Sequence, residues 1–165
     1  EKGLDVITAA TRRNLTEAIN PAVKSLNYLN NIMAKIEANN AGASEALMLN
    51  YEGYVTECTG ENIFIVSRGN LVTPPVSAGV LPGITRDTVK EIATEIGLEV
   101  KEMNITRYDI FTAEECFLTG TAAEIVPVIS LDGRIIGTGK PGEITNKIRK
   151  EYSLLTASEG VPVYE

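Results

Sequence analysis

Residues 62–103 read Asn62-Ile-Phe-Ile-Val-Ser-Arg-Gly-Asn-Leu-Val-Thr73, Pro74-Pro-Val-Ser-Ala-Gly-Val80, Leu81-Pro-Gly-Ile-Thr-Arg-Asp-Thr-Val-Lys-Glu-Ile-Ala-Thr-Glu-Ile-Gly97 and Leu98-Glu-Val-Lys-Glu-Met103. Two apolar runs, 62–66 and 71–73, flank Arg68-Gly69-Asn70, the pattern of a hairpin between strands. After the Pro74-Pro75 loop, Val89, Ile92, Ala93 and Ile96 recur at helical spacing, and Gly97 supplies a stop. Residues 98–103 return as a strand. Strands and a helix interleaved in this way define an α/β class, and the hairpin makes the sheet mixed.

The same alternation extends in both directions. Residues 4–11, rich in β-branched positions, predict a first strand. Pro21 disfavours α conformation at Asn20. Beyond it, Leu26, Leu29, Ile32 (or Met33) and Ile36 predict a helix over 26–40, packed through that apolar stripe and ended at Ala41-Gly42. Strands are predicted at 46–49 and 54–56 around a turn at 50–53. A short helix is expected at 107–113 and a strand at 115–118 running into Thr119-Gly120-Thr121-Ala122-Ala123. Strands at 125–130 and 134–136 surround Asp132-Gly133, a hairpin signal. Pro141 opens a last helix to about Leu155.

The 165 residues suit one domain with a substantial core. A hydrophobic content of 44% and a charged content of 22% fit a globular protein. No apolar run approaches the roughly 20 residues of a transmembrane helix, so no membrane partner is expected. A net charge of −7 argues against nucleic acid, which needs a clustered basic excess. Cys58 and Cys116, each in a strand-like context, form no disulfide framework and point to a reducing cytoplasm. The chain has no histidine. That removes Ser-His-Asp triads, Cys-His pairs and ordinary histidine-ligated metals, and no metal site is expected. Acid–base work then falls to a tuned lysine, carboxylate or tyrosine, or to a cofactor. The start at Glu1-Lys2-Gly3, without an initiator Met, reads as a fragment of a longer protein.

Four places carry candidate chemistry. Lys24 lies where an irregular segment turns into the first helix, with Tyr28 one turn on; a lysine fixed there is a candidate for covalent chemistry, or a solvated charge. Glu57, before the tight turn 58–61, is either an acid held between strands, which needs a cationic partner, or a solvated loop carboxylate. Gly83, Ile84 and Thr85 open the second helix. They form either a phosphate-binding turn or an ordinary cap with Thr85 as N-cap. Gly120, Thr121 and Ala122 offer a second anion cradle or a tight turn. Arg12 and Arg13 read as a solvated loop more readily than as an anion grip. A lysine, a tyrosine, an acid and two phosphate-style turns are together the parts of a pyridoxal-phosphate site.

Lys24-Ser-Leu-Asn-Tyr-Leu, Thr56-Glu-Cys-Thr-Gly-Glu-Asn-Ile-Phe, Leu81-Pro-Gly-Ile-Thr-Arg-Asp and Leu118-Thr-Gly-Thr-Ala-Ala-Glu-Ile-Val-Pro-Val occur in that order. They resemble the fold-type IV pyridoxal-phosphate aminotransferases, specifically the branched-chain amino acid aminotransferases, over nearly the whole chain. The resemblance implies a mixed sheet partly closed into a barrel with flanking helices, residues 1–165 being the C-terminal large domain. It implies transfer of an amino group from leucine, isoleucine or valine to 2-oxoglutarate, with pyridoxal 5'-phosphate as cofactor. Lys24 then forms the Schiff base and Tyr28 bonds the phenolic oxygen. Glu57 pairs with the pyridine nitrogen. Gly83, Ile84 and Thr85, with Gly120 and Thr121, hold the phosphate, and Thr121 and Ala122 meet the substrate carboxylate. A homodimer or larger homo-oligomer is implied. The family's N-terminal small domain, which supplies a phosphate-binding arginine, has no counterpart here, and Arg12 and Arg13 are not that arginine. D-amino-acid transaminases and aminodeoxychorismate lyases share the lysine but resemble the chain less at Gly60-Glu-Asn-Ile-Phe64. A catalytically silent, cofactor-binding or self-associating domain is the alternative outside catalysis.

Overall fold

The computed structural model describes residues 2–160. Nine strands form one mixed sheet: β1 Leu4–Thr8, β2 Glu45–Leu49, β3 Val55–Cys58, β4 Asn62–Ser67, β5 Asn70–Thr73, β6 Val100–Glu102, β7 Glu115–Gly120, β8 Glu124–Leu131 and β9 Arg134–Ile135. The strand order is β3-β2-β1-β8-β7-β4-β5-β6, with β9 paired to β8. β1 runs parallel to β2 and β8, and β5 to β6; the other pairs are antiparallel. The helices are α1 Leu29–Asn40, α2 Ile84–Glu95, α3 Arg107–Phe111 and α4 Glu143–Ser158.

The order of the strands forces the sheet to curl. β3 stands at one end and β4 five places away, yet only residues 59–61 join them, and Cys58 N–H bonds the Glu61 carbonyl. The run from β3 through β2, β1, β8 and β7 to β4 therefore bends back on itself as a partly closed barrel. One apolar cluster fills its concave side with a side chain from every strand of that run. These include Val6, Leu47, Val55, Ile65, Leu118 and Val128. On the convex side, Phe64 and Phe117 face each other across the β4–β7 ladder with stacked rings 5.2 Å apart. Val89, Ile92 and Ala93 of α2 and Ile148 of α4 cover them.

The expected helix at 26–40 is shorter and faces the other way. It begins at Leu29, with Tyr28 at its N-cap. Ala34 and Ala38 are wholly buried against Ala46 and Met48 of β2, while Leu29, Ile32, Met33 and Ile36 are 45–64% exposed. The apolar stripe points outward because two alanines let the helix sit close to the strand, and the larger side chains cannot fit there. Periodicity located the helix correctly but chose the wrong face.

The punctuation matches the sequence more closely. Arg68-Gly69 and Asp132-Gly133 all have positive φ, as two-residue hairpin turns demand. Gly97, at φ +84°, ends α2 in a Schellman arrangement, with Leu98 N–H bonding the Ala93 carbonyl. The other end of the fold has a capping device supplied from the sheet. Glu115 of β7 accepts the N–H groups of Ile144 and Thr145 at 3.0 and 2.7 Å, plus the Thr145 hydroxyl, at the start of α4. Glu115→Ala should cost about 1–2 kcal/mol, the range for losing a helix N-cap. A urea midpoint equal to wild type would refute that role.

Candidate functional site

Glu57 lies on β3 and is 4% exposed, so the solvated-loop alternative does not hold. Its Oε1 accepts Nη2 of Arg13, and its Oε2 accepts Asn62 Nδ2 at 2.9 Å and the Leu81 N–H at 3.0 Å. Burial pushes the carboxyl up to about 7, against the pull of Arg13, the Leu81 N–H and Lys24. Arg12 and Arg13 part company. Arg12 is exposed, as a loop residue should be, but Arg13 is 5% exposed, which corrects the reading of both as solvated. A buried carboxylate needs a cation, and Arg13 is the nearest one the topology provides.

Lys24 is exposed in the segment before α1, and its Nζ donates to the Tyr28 hydroxyl at 3.2 Å. Lys24, Tyr28, Glu57, Arg13 and Asn62 line one cleft. The phosphate-style turns border it through two other contacts. Asn62 Nδ2 also bonds the Leu81 carbonyl at 2.9 Å, and a Cβ on Gly83 would come within 2.2 Å of Asn62 Oδ1. A Cβ on Gly120 would lie 3.4 Å from the Gly60 carbonyl and 3.5 Å from Glu61 Cγ. Thr121 and Ala122 follow Gly120 in an exposed turn and, like Ile84 and Thr85, are not among the cleft's lining residues.

The start of α2 differs from the cap reading. Gly83 is the N-cap, with no side chain bonded across it, and Thr85 is buried within the first turn. The first N–H groups of a helix have no intrahelical acceptor, and the helix dipole gives them positive character. Here no side chain caps them, so the turn is open to an anion. Opposite Asn62 in the β4–β7 ladder stands Thr119, whose buried hydroxyl has no partner among the described residues. Gly83→Ala would drive a methyl into Asn62. We expect a loss of about 1–3 kcal/mol from overpacking, and an unchanged unfolding midpoint would show that Asn62 gives way freely.

Sequence reasoning did not assign roles to Arg13, Asn31 or Asn62. Asn31, on the inward face of α1, accepts Arg13 Nη1 and donates to the Thr59 carbonyl at 2.7 Å. The available signal was charge accounting: an acid taken as buried requires a partner, and Arg12-Arg13 was the one unassigned basic pair upstream. Glu45, also buried, holds the other side of the 59–61 turn by accepting the Thr59 N–H and hydroxyl, with Lys35 of α1 on its second oxygen. Burial and the Glu45 charge raise the neighbouring Glu61 carboxyl. The thiols of Cys58 and Cys116 are fully buried and pushed up by desolvation, so neither supplies a thiolate.

A curled mixed sheet with a lysine, a buried acid and an uncapped helix N-terminus at one edge is the frame of one known family. Residues 1–131 match the sequence profile of the amino-transferase class IV family, and the chain belongs to that family. It is 51% identical over its whole length to a putative branched-chain-amino-acid aminotransferase of Methanocaldococcus jannaschii, of which it covers 57%. Among solved structures, the branched-chain amino acid aminotransferase of Escherichia coli superposes with a TM-score of 0.92 at 40% identity, over 94% of this chain and 51% of that one. The Thermobaculum terrenum branched-chain amino acid aminotransferase in its PLP form gives 0.90 at 41%, over 93% and 50%. The chain thus spans little more than half the length of these relatives.

Proposed function

We propose that the chain is the C-terminal, cofactor-binding large domain of a branched-chain amino acid aminotransferase. The protein would move an amino group between leucine, isoleucine or valine and 2-oxoglutarate with pyridoxal 5'-phosphate. The observation that carries the reading is one cleft holding an accessible lysine, a tyrosine hydroxyl 3.2 Å from it and a buried carboxylate that accepts three hydrogen bonds, one acceptor site short of its full capacity. The residues fit the cofactor: an amine for its carbonyl carbon, an acid for its ring nitrogen, and free N–H groups with the orphaned Thr119 hydroxyl near its phosphate turn. When bound, pyridoxal phosphate supplies an electron-accepting ring that stabilises negative charge at the substrate's α-carbon.

The chain's residues divide the remaining work. Lys24 Nζ would hold the cofactor through its carbonyl carbon and would serve as the base for the substrate's α-proton. Tyr28 orients the phenolic oxygen and holds Lys24 Nζ within reach. Glu57, kept ionised, holds the proton on the ring nitrogen. Gly83, Ile84 and Thr85, with Gly120 and Thr121, hold the phosphate, and the N–H groups of Thr121 and Ala122 meet the substrate carboxylate. Among the described residues no helix is long and apolar enough to cross a membrane. A cytoplasmic homodimer or larger homo-oligomer is part of the same proposal, supported by the outward apolar stripe of α1.

The deciding experiment incubates the protein with pyridoxal phosphate, reduces with borohydride and maps the modified residue by mass spectrometry. Lys24 should carry the adduct; labelling spread over other lysines refutes the site. A panel of L- and D-amino acids and aminodeoxychorismate then tests the substrate class.

A further inference from the structure

Arg13 ties three parts of the candidate site together. Its Nη2 bonds Glu57 Oε1, its Nη1 bonds Asn31 on α1, and its Nε reaches the Gly79 carbonyl at 3.3 Å. Gly79 lies just upstream of Leu81, whose N–H holds the other oxygen of Glu57. One planar guanidinium therefore joins the acid, the helix that follows the lysine and the loop that leads into the anion-binding turn. Its fork geometry suits three acceptors at once, which a lysine ammonium could not match with the same rigidity. The guanidinium is spent on these contacts within a site where burial of both partners makes the pair costly to break.

We propose that Arg13 is the positioning residue for the ring-nitrogen acid: it fixes Glu57 in its rotamer and keeps it ionised, so that the carboxylate holds a protonated pyridine nitrogen. The inference rests on the pyridoxal-phosphate reading of the site and adds a second layer to it. The charged and titratable groups around Glu57 are Arg13 and Lys24 from the segment between β1 and α1, Cys58 beside it on β3, and Glu61 and Tyr28 in the same cleft. Of these, Arg13 and Lys24 favour the ionised form. Arg13 is the one bonded directly to the carboxylate, whereas Lys24 acts on it only through space. With burial already lifting the carboxyl to about 7, removal of the guanidinium raises it further and leaves it protonated at neutral pH.

The test uses the protein loaded with pyridoxal phosphate labelled with 15N in the ring, and follows the ring-nitrogen resonance against pH. Wild type should show a protonated nitrogen at pH 8. Arg13→Met should show an unprotonated one, with cofactor retained and kcat lower by about 10- to 100-fold, the range for removing an outer partner of a functional ligand. Arg13→Lys should restore protonation without restoring full rate. A protonated nitrogen and an unaltered pH profile in Arg13→Met overturn the proposal. Glu57→Gln separates the two layers: if it too leaves the nitrogen protonated, the assignment of Glu57 fails, not the role of Arg13 alone. Should Arg13→Met not fold, Asn31→Ala, which frees one arm of the guanidinium, should lower the pH at which the nitrogen loses its proton. No change in that variant counts equally against the proposal.

Discussion

Lys24→Ala should abolish amino transfer, with kcat lower by roughly five orders of magnitude or more, the scale for deleting a covalent catalyst. On the proposed reading the same amine would anchor the cofactor and move the α-proton, and among the described residues no other lysine lines the cleft. Lys35, the next along the chain, is engaged with Glu45 at 2.8 Å and with the Ser44 carbonyl. Loss of the amine leaves the phosphate turn and Glu57 intact, so cofactor should still bind, without the covalent link. A small primary amine added to the variant should recover part of the rate, because it can enter the vacated space and accept the proton. Single-turnover absorbance with leucine measures both effects. Turnover at the wild-type rate would refute Lys24 as the catalytic base.

Glu57→Gln is expected to have the second largest effect. An amide of the same size fills the same space but turns its NH2 toward Arg13 or toward Asn62 and Leu81, all of them donors, and cannot hold a proton on the ring nitrogen by charge. The loss should be about 10²- to 10³-fold in kcat, as for removing one preorganised electrostatic partner. A second consequence appears in the cofactor-free protein. The folded-state carboxyl titrates at about 7, whereas an exposed glutamate titrates at 4.5. Between those values the native protein binds more protons than the unfolded chain, so stability falls as pH rises. The contribution is complete below about pH 4.5 and is lost by the time pH passes 7, with a slope of at most about 1.4 kcal/mol per pH unit. Urea unfolding of wild type minus Glu57→Gln across this window isolates the slope. A flat difference would show that Arg13 holds Glu57 ionised throughout.

The two variants separate roles that share one cleft. In the proposed site Lys24 would act at the reacting carbon, where electrostatics could not compensate its loss. Glu57 would act at the ring nitrogen, and its effect would depend on Arg13, Asn62 and the Leu81 N–H, whose three hydrogen bonds set the direction of the carboxylate.

Much of this was legible in the residues. The hairpins at Arg68-Gly69 and Asp132-Gly133, the glycine stop at Gly97 and the helix over 84–95 follow from local conformational limits that act over a few bonds. Of the cleft's residues, Lys24, Tyr28 and Glu57 were named because the types a pyridoxal-phosphate site needs stand in a recognisable order along the chain. Other features depend on contacts far apart in sequence. The outward face of α1 was set by Ala34 and Ala38 meeting β2, and no periodicity distinguishes a stripe that packs inward from one that awaits another surface. Arg13 meets Glu57 across 44 positions because β1, β2 and β3 lie side by side, and Thr119 meets Asn62 because β7 pairs with β4. The sequence by itself determined which residue types were available and where the chain must turn. Only the tertiary structure decided which charges are buried together, because desolvation and pairing energies arise when distant segments exclude water from one another.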